Sequence, residues 1–155
     1  MNDLTQILSR EPFIQGLDAS HIELMASCAS NMKFGPNDYL GREGNKADTF
    51  YFIRSGRVNL EIHAGSRGTL TIQSLEDGDV IGWSWLVTPF RWHFDIRAVS
   101  KTRVLALDGK CLRQKCDADH HLGYTLMKKL AHLMEERLKA TRMQLLDVYA
   151  SPKGR

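Results

Sequence analysis

All three tryptophans of the chain, Trp83, Trp85 and Trp92, fall within ten residues of one another, in a stretch from Gly78 to Ala98 that also holds Phe90 and Phe94. Set beside Ser84, Arg91 and His93, aromatic side chains this dense suit a small-molecule site, because ligand pockets are mostly apolar with a few polar anchors. The stretch opens on a turn signal, Glu76-Asp77-Gly78-Asp79. A short helical turn is expected from Ser84 to Val87, broken by Pro89. From Trp92 the pattern has period two, so Trp92, Phe94, Ile96 and Ala98 share one face of a strand and His93, Asp95, Arg97 and Val99 the other. With Trp83 or Trp85 across from Trp92, Phe94 and Ile96, these side chains would line an aromatic cavity. Ser84, Arg91, His93 and the amides of Gly82 to Ser84 at a helix start would be its anchors, an arrangement that suits an anion. The alternative is that the aromatics fill the space and stiffen it.

Other chemistries find less to work with. His63 and His93 are isolated, and no HxH pair is present. His120 and His121 are adjacent on a helix, diverge by about 100° and cannot chelate one ion together. Cys28, Cys111 and Cys116 are too few for an iron–sulfur cluster, which takes four cysteines. Haem through His93 or a cysteine lacks a supporting motif. No G-x-S-x-G, P-loop or HExxH occurs. The expectation is no catalytic residue, no metal and no enzyme.

The elements that must position the stretch come from one domain, expected over 1–150, with a disordered tail at 151–155. A chain of 155 residues buries roughly 68–70% of its unfolded surface and needs no disulfide to fold. The net charge of +3 is not gathered into the blocks that mark nucleic-acid binding. An odd number of cysteines without a CxxC points to a reducing cytoplasm. Neither a signal peptide nor a membrane span is expected.

Leu4, Ile7 and Leu8 suggest a short helix closed before Pro12, and Ser20-His21-Ile22-Glu23 fits a capping box opening a second. This helical cap covers 1–30. Short strands follow over 31–108: Met32–Phe34, Tyr39-Leu40, Phe50–Ile53, the alternating Val58, Leu60 and Ile62, then Leu70 and Ile72, and Val104–Leu107. With the aromatic stretch they make about eight, spaced by hairpin-like turns, and favour a closed antiparallel roll. The fold class is therefore mainly β with flanking helices. Over 109–149, Asp108 caps a short helix through Cys116, and Asp117 or Asp119 opens a long one reaching roughly Tyr149.

The long helix carries two apolar stripes. Leu126, Leu130 and Leu133 can lie on the roll, while Met127, Ala131, Met134, Leu138, Thr141, Leu145 and Val148 alternate by four and three like a coiled-coil seam. A parallel homodimer through Met134, Leu138, Thr141, Leu145 and Val148 is the expectation. Lys128, Lys129, Arg137, Lys139 and Arg142, alternating with Glu135 and Glu136, read as a solvated face.

In this order the elements resemble the cyclic-nucleotide-binding domain of the catabolite activator (Crp-Fnr) family of bacterial regulators. The marks are Pro12-Phe13…Gly16-Leu17, Arg42-Glu43-Gly44, Phe50–Val58, Leu75…Gly78-Asp79-Val80-Ile81-Gly82 and Ile96-Arg97-Ala98. The resemblance implies a cytoplasmic, dimeric ligand sensor. It also implies where a cyclic nucleotide would be held: by a glutamate after the last glycine, and by an arginine and a small hydroxyl residue about ten positions on. Here Trp83 stands at the first place and Trp92 and His93 at the others, with Arg91 one place early. Losing an Arg–phosphate fork of two charge-assisted bonds weakens binding by about 3–6 kcal/mol, or roughly two to four decades. The expected ligand is thus a cyclic nucleotide held unusually or another small anionic or aromatic molecule, in a site drawn from Gly82, Trp83, Ser84, Trp85, Arg91, Trp92, His93 and Phe94. The alternatives are an interaction module with a filled pocket and an unknown protein partner, or the sensor half of a transcription regulator. Neither the helix-turn-helix that follows in such regulators nor direct DNA reading is expected.

Overall fold

A computed structural model describes residues 3–150; the tail expected at 151–155 lies outside them. The layout follows from one strand that is apolar on both faces. β3 (Thr49–Ser55) buries Phe50 and Phe52 on one side and Tyr51 and Ile53 on the other. Its sequence is therefore a continuous apolar run rather than an alternation. β3 lies in an antiparallel sheet ordered β1 (Ala29–Phe34), β8 (Thr102–Asp108), β3, β6 (Val80–Ile81). In β8, likewise, Val104 and Ala106 point into the roll while Leu105 and Leu107 point to the helices. A second antiparallel sheet, ordered β2 (Tyr39–Gly41), β7 (Asp95–Ala98), β4 (Arg57–His63), β5 (Thr69–Glu76), closes the other side. The result is the expected eight-stranded antiparallel β-roll with flanking helices.

Helices α1 (Asp3–Ser9), α2 (Ala19–Ala26), α3 (Gly109–Ala118) and α4 (His120–Ala150) lie against the outer face of the first sheet. Leu126 and Leu130 of α4 are buried there with Leu8, Met25 and Leu112, and Leu133 packs partly buried beside them, the stripe read from their spacing; Leu122 extends it by one turn. Asp108 caps α3, its carboxylate accepting the Cys111 amide at 2.8 Å. Among the described residues no helix is long and apolar enough to cross a membrane.

Three local expectations are corrected. The N-cap of α2 is Asp18, and Ser20 lies inside the helix, so the capping box does not form. Residues Ser84 to Val87 form hydrogen-bonded turns rather than a helix, with the Leu86 amide on the Trp83 carbonyl at 3.0 Å. The irregular chain between β6 and β7 follows the packing of its aromatics instead of a helical repeat. Cys28 and Cys111, expected as free thiols, form a disulfide with Cα atoms 5.7 Å apart. Cys28 ends the turn after α2 and Cys111 sits in the first turn of α3, so folding the cap onto α3 brings them together.

Candidate ligand site

The second sheet is locked by paired charges. Glu61 of β4 and Asp95 of β7 stand directly opposite each other, a repulsive pair if left alone. Each has its own arginine. Arg97 donates from Nη2 and Nε to Glu61 at 2.7–3.2 Å, and Arg42 donates from Nε to Asp95 at 3.3 Å. Asp95 also accepts the Glu43 amide at 2.8 Å, tying the Arg42-Glu43-Gly44 turn to the start of β7.

The tryptophans separate rather than converge. Trp92 and Phe94 turn into the roll as their alternation predicts, with Ile96 and Ala98. Trp92 is 4% exposed and lies 6.4 Å from Tyr51, ring to ring and nearly parallel. Its backbone is held by the Asn45 carbonyl and the Gly44 amide at 2.9 and 2.8 Å. Two glycines make room for its indole. A Cβ on Gly41 would stand 2.6–2.8 Å from three indole atoms, and one on Gly82, whose φ of +100° already favours glycine, would stand 3.0 Å away. Gly41→Ala should therefore destabilise by about 1–3 kcal/mol through overpacking, read as a lower urea midpoint. An unchanged midpoint would mean that the indole is not seated against Gly41.

Trp85 goes the other way. It is fully buried in the helix-side core, stacked on Phe50 at 5.4 Å between ring centroids, so it does not face Trp92. Arg91 is exposed and donates to the Gly44 carbonyl at 3.3 Å, and His93 is exposed. Ser84 is buried. Because the expected helix is missing, the amides of Gly82 to Ser84 do not form a helix N-terminus.

Trp83 and Phe94 do meet across a space. With Leu60, Ile72 and Gln73 of the second sheet and Met134, Arg137, Leu138 and Thr141 of α4, they line a cavity of about 380 Å³. It lies between the open side of the roll and the long helix. Its lining is apolar except for Gln73, Thr141 and one charge.

That charge is Arg137. Read as part of a solvated face, it is instead 7% exposed. Nη2 donates to the Val80 carbonyl, and the guanidinium carbon lies 5.7 Å from the centre of the Trp83 ring. Nη1 is buried and has no hydrogen-bond partner among the described residues. Burial pushes the guanidinium down to about 10, against a smaller upward pull from Asp79 and Glu136. The signal for this was in the sequence. Arg137 stands four residues after Leu133, on the stripe Leu126, Leu130, Leu133 that faces the roll. Beyond Arg137 the helix is exposed along its length; Met134, Leu138 and Thr141 border the cavity and, with Leu145 and Val148 beyond it, form an exposed row.

The family model of the cyclic nucleotide-binding domain matches residues 31–119. Among solved structures, a cyclic nucleotide-binding domain from Methylobacillus flagellatus is similar at 19% identity and a TM-score of 0.78, over 93% of this chain and 81% of that one. The catabolite activator protein of Thermus thermophilus is similar at 21% identity and a TM-score of 0.70, over 89% and 63%. The c-di-GMP-responsive global regulator of Xanthomonas campestris is similar at 15% identity and a TM-score of 0.72, over 86% and 66%. At these identities the likeness is one of fold. No curated protein matches the chain.

Proposed function

The chain belongs to the cyclic nucleotide-binding domain family, and from that premise we propose that it is a non-enzymatic ligand-sensing regulatory domain with a non-standard ligand. The ligand class is a small anion with an apolar or aromatic body, held between the roll and α4. One observation carries this reading: the buried, half-satisfied guanidinium of Arg137 in the wall of an otherwise apolar cavity. A buried donor without a partner is costly, and an anion in the cavity would relieve that cost. Trp83 offers a ring to stack on, and Phe94 and Leu60 an apolar floor. Trp92 occupies the space beside Gly82, which argues against a phosphate held there in the family's usual way. A related fold that responds to c-di-GMP is consistent with ligands other than cAMP.

The signal would leave through α4. Met134, Leu138 and Thr141 belong both to the cavity wall and to the exposed row proposed as a homodimer seam. A ligand touching them from inside would favour one pairing of the two long helices over another, and that pairing is the two-state element. Leu145, exposed and outside the cavity, separates dimerisation from binding. Leu145→Glu should convert a sedimenting dimer to a monomer, whereas a wild-type monomer at micromolar concentration would remove the seam from the proposal.

The testing experiment is calorimetry of the full chain against cAMP, cGMP, c-di-GMP and a panel of aromatic carboxylates and phosphates, with Trp83 fluorescence as a second signal. Saturable heat from an anionic aromatic ligand supports the reading. Micromolar cAMP binding that disappears in Arg91→Ala would overturn it, because the loop would then supply the phosphate contact. The seating of Trp92 between two glycines favours a second reading, an interaction module with a filled roll. Silence across the whole panel, from a dimeric protein, would select it.

A further inference from the structure

A second cluster lies away from this cavity, where α2 and α4 begin. Asp18 is the N-cap residue of α2 and His21 stands in its first turn. Asp119 links α3 to α4, and His121 is the second residue of α4. Packing the helical cap onto the α3–α4 joint brings them together. One potential ligand atom from each of Asp18, His21 and His121 lies within 4.8 Å of the other two.

The orientation of His21 is the informative part. The residue is 5% exposed, and its imidazole is approached from both nitrogens. Nε2 lies 3.2 Å from Oδ2 of Asp119, and Nδ1 lies 4.0 Å from Oδ2 of Asp18. Asp119 is itself held, its Oδ1 accepting the Leu122 amide at 3.2 Å. With the proton on Nε2 donated to Asp119, the Nδ1 lone pair faces Asp18. The His121 ring stands edge-on to His21, with centroids 5.0 Å apart and planes at 71°. A histidine that gives one ring N–H to a fixed carboxylate and turns its other nitrogen toward further donors is the arrangement found around bound metals.

We propose that Asp18, His21 and His121 bind a divalent transition-metal ion of the zinc class, with Asp119 as the residue that positions His21. Two imidazoles and one carboxylate suit Zn²⁺, Co²⁺ or Ni²⁺ rather than Mg²⁺ or Ca²⁺, which take oxygen ligands. Three protein ligands leave a coordination position for water. Metal–ligand distances of about 2.0–2.2 Å require the three donors to draw together. Asp18 and His121 are exposed side chains free to make that adjustment, while His21 stays anchored by Asp119. The positive ends of α2 and α4 both point here, and the carboxylates of Asp18 and Asp119 offset them. His120, the other half of the adjacent pair, takes no part, in keeping with the divergence of neighbouring helical residues. A bound ion would join the helical cap to the root of α4. The Cys28–Cys111 bridge independently ties the end of α2 to α3.

The test is titration of the EDTA-treated full chain with Zn²⁺ by calorimetry and with Co²⁺ by visible absorption. The expected result is one equivalent bound, with the d–d bands of a nitrogen- and oxygen-ligated Co²⁺ and a rise in the melting temperature, since a ligand of the folded state stabilises it. His121→Ala and Asp18→Asn change exposed side chains, so they should stay folded by circular dichroism and lose the equivalent. Asp119→Asn should keep the stoichiometry and weaken affinity about 10- to 100-fold. Cys116→Ser should bind as the wild type does. Three results would overturn the proposal: no binding of micromolar Zn²⁺, binding unchanged in His121→Ala, or binding lost in Cys116→Ser.

Discussion

A Cys28→Ala/Cys111→Ala double variant is expected to lose about 4–5 kcal/mol of stability, a large share of what a domain of this size has. The bridge spans 83 positions of sequence, and closing so long a loop removes much of the entropy of the unfolded chain. The chain-entropy relation assigns it about 4.5 kcal/mol, against a usual total of about 5–15 kcal/mol. The wild type in excess dithiothreitol should approach the same midpoint in a urea or thermal titration. Cys116 does not compete for the bridge at neutral pH. Burial, and then Asp117 and Asp119, push its thiol up to about 11, so the thiolate that would attack a disulfide is scarce. A loss below about 1 kcal/mol in the double variant would show that the cap and α3 are held by packing alone. The bridge also changes the reading of the cysteines, since the odd count concealed one pair and one spare.

Arg137→Met is expected to act in opposite directions on stability and on binding. Exchanging a buried, incompletely paired charge for an apolar side chain of similar length is often neutral or stabilising. Here the exchange forfeits the bond to the Val80 carbonyl but removes the partnerless Nη1. The unliganded variant should therefore melt at or above the wild-type temperature. Binding of an anionic ligand should weaken by about 10- to 150-fold, the equivalent of one charge-assisted bond of about 1.5–3 kcal/mol. The pH dependence has a definite sign. The folded-state value near 10 lies below the ordinary arginine range, so the burial penalty is present in full below pH 10. It is relieved only as pH rises from about 10 toward the unfolded value. Between pH 6 and 9 the stability difference between the two proteins should stay flat, and anion binding in the wild type should fade only above pH 10. A variant that loses more than about 2 kcal/mol, with binding unchanged, would make Arg137 a structural clamp between α4 and β6 and nothing more.

Much of the architecture was legible in the residues. The alternation from Trp92 to Ala98, the doubly apolar run Phe50–Ile53, the cap at Asp108 and the Leu126–Leu130 stripe each assign a face or an end to a regular element. A periodic backbone repeats its side-chain directions, so composition along it is enough. Where the backbone is irregular that rule lapses. Between Ile81 and Asp95 no period relates Trp83, Trp85 and Trp92, and one faces α4, one the helix-side core and one the inside of the roll.

What tertiary structure alone decided are the meetings between residues far apart in the chain. Cys28 with Cys111, Asp18 and His21 with His121, and Arg137 with Val80 and Trp83 each join two elements whose mutual placement depends on how the helical layer sits on the sheet. Local periodicity says which way a side chain points from its own helix or strand. Only the packing of those layers decides what it finds there.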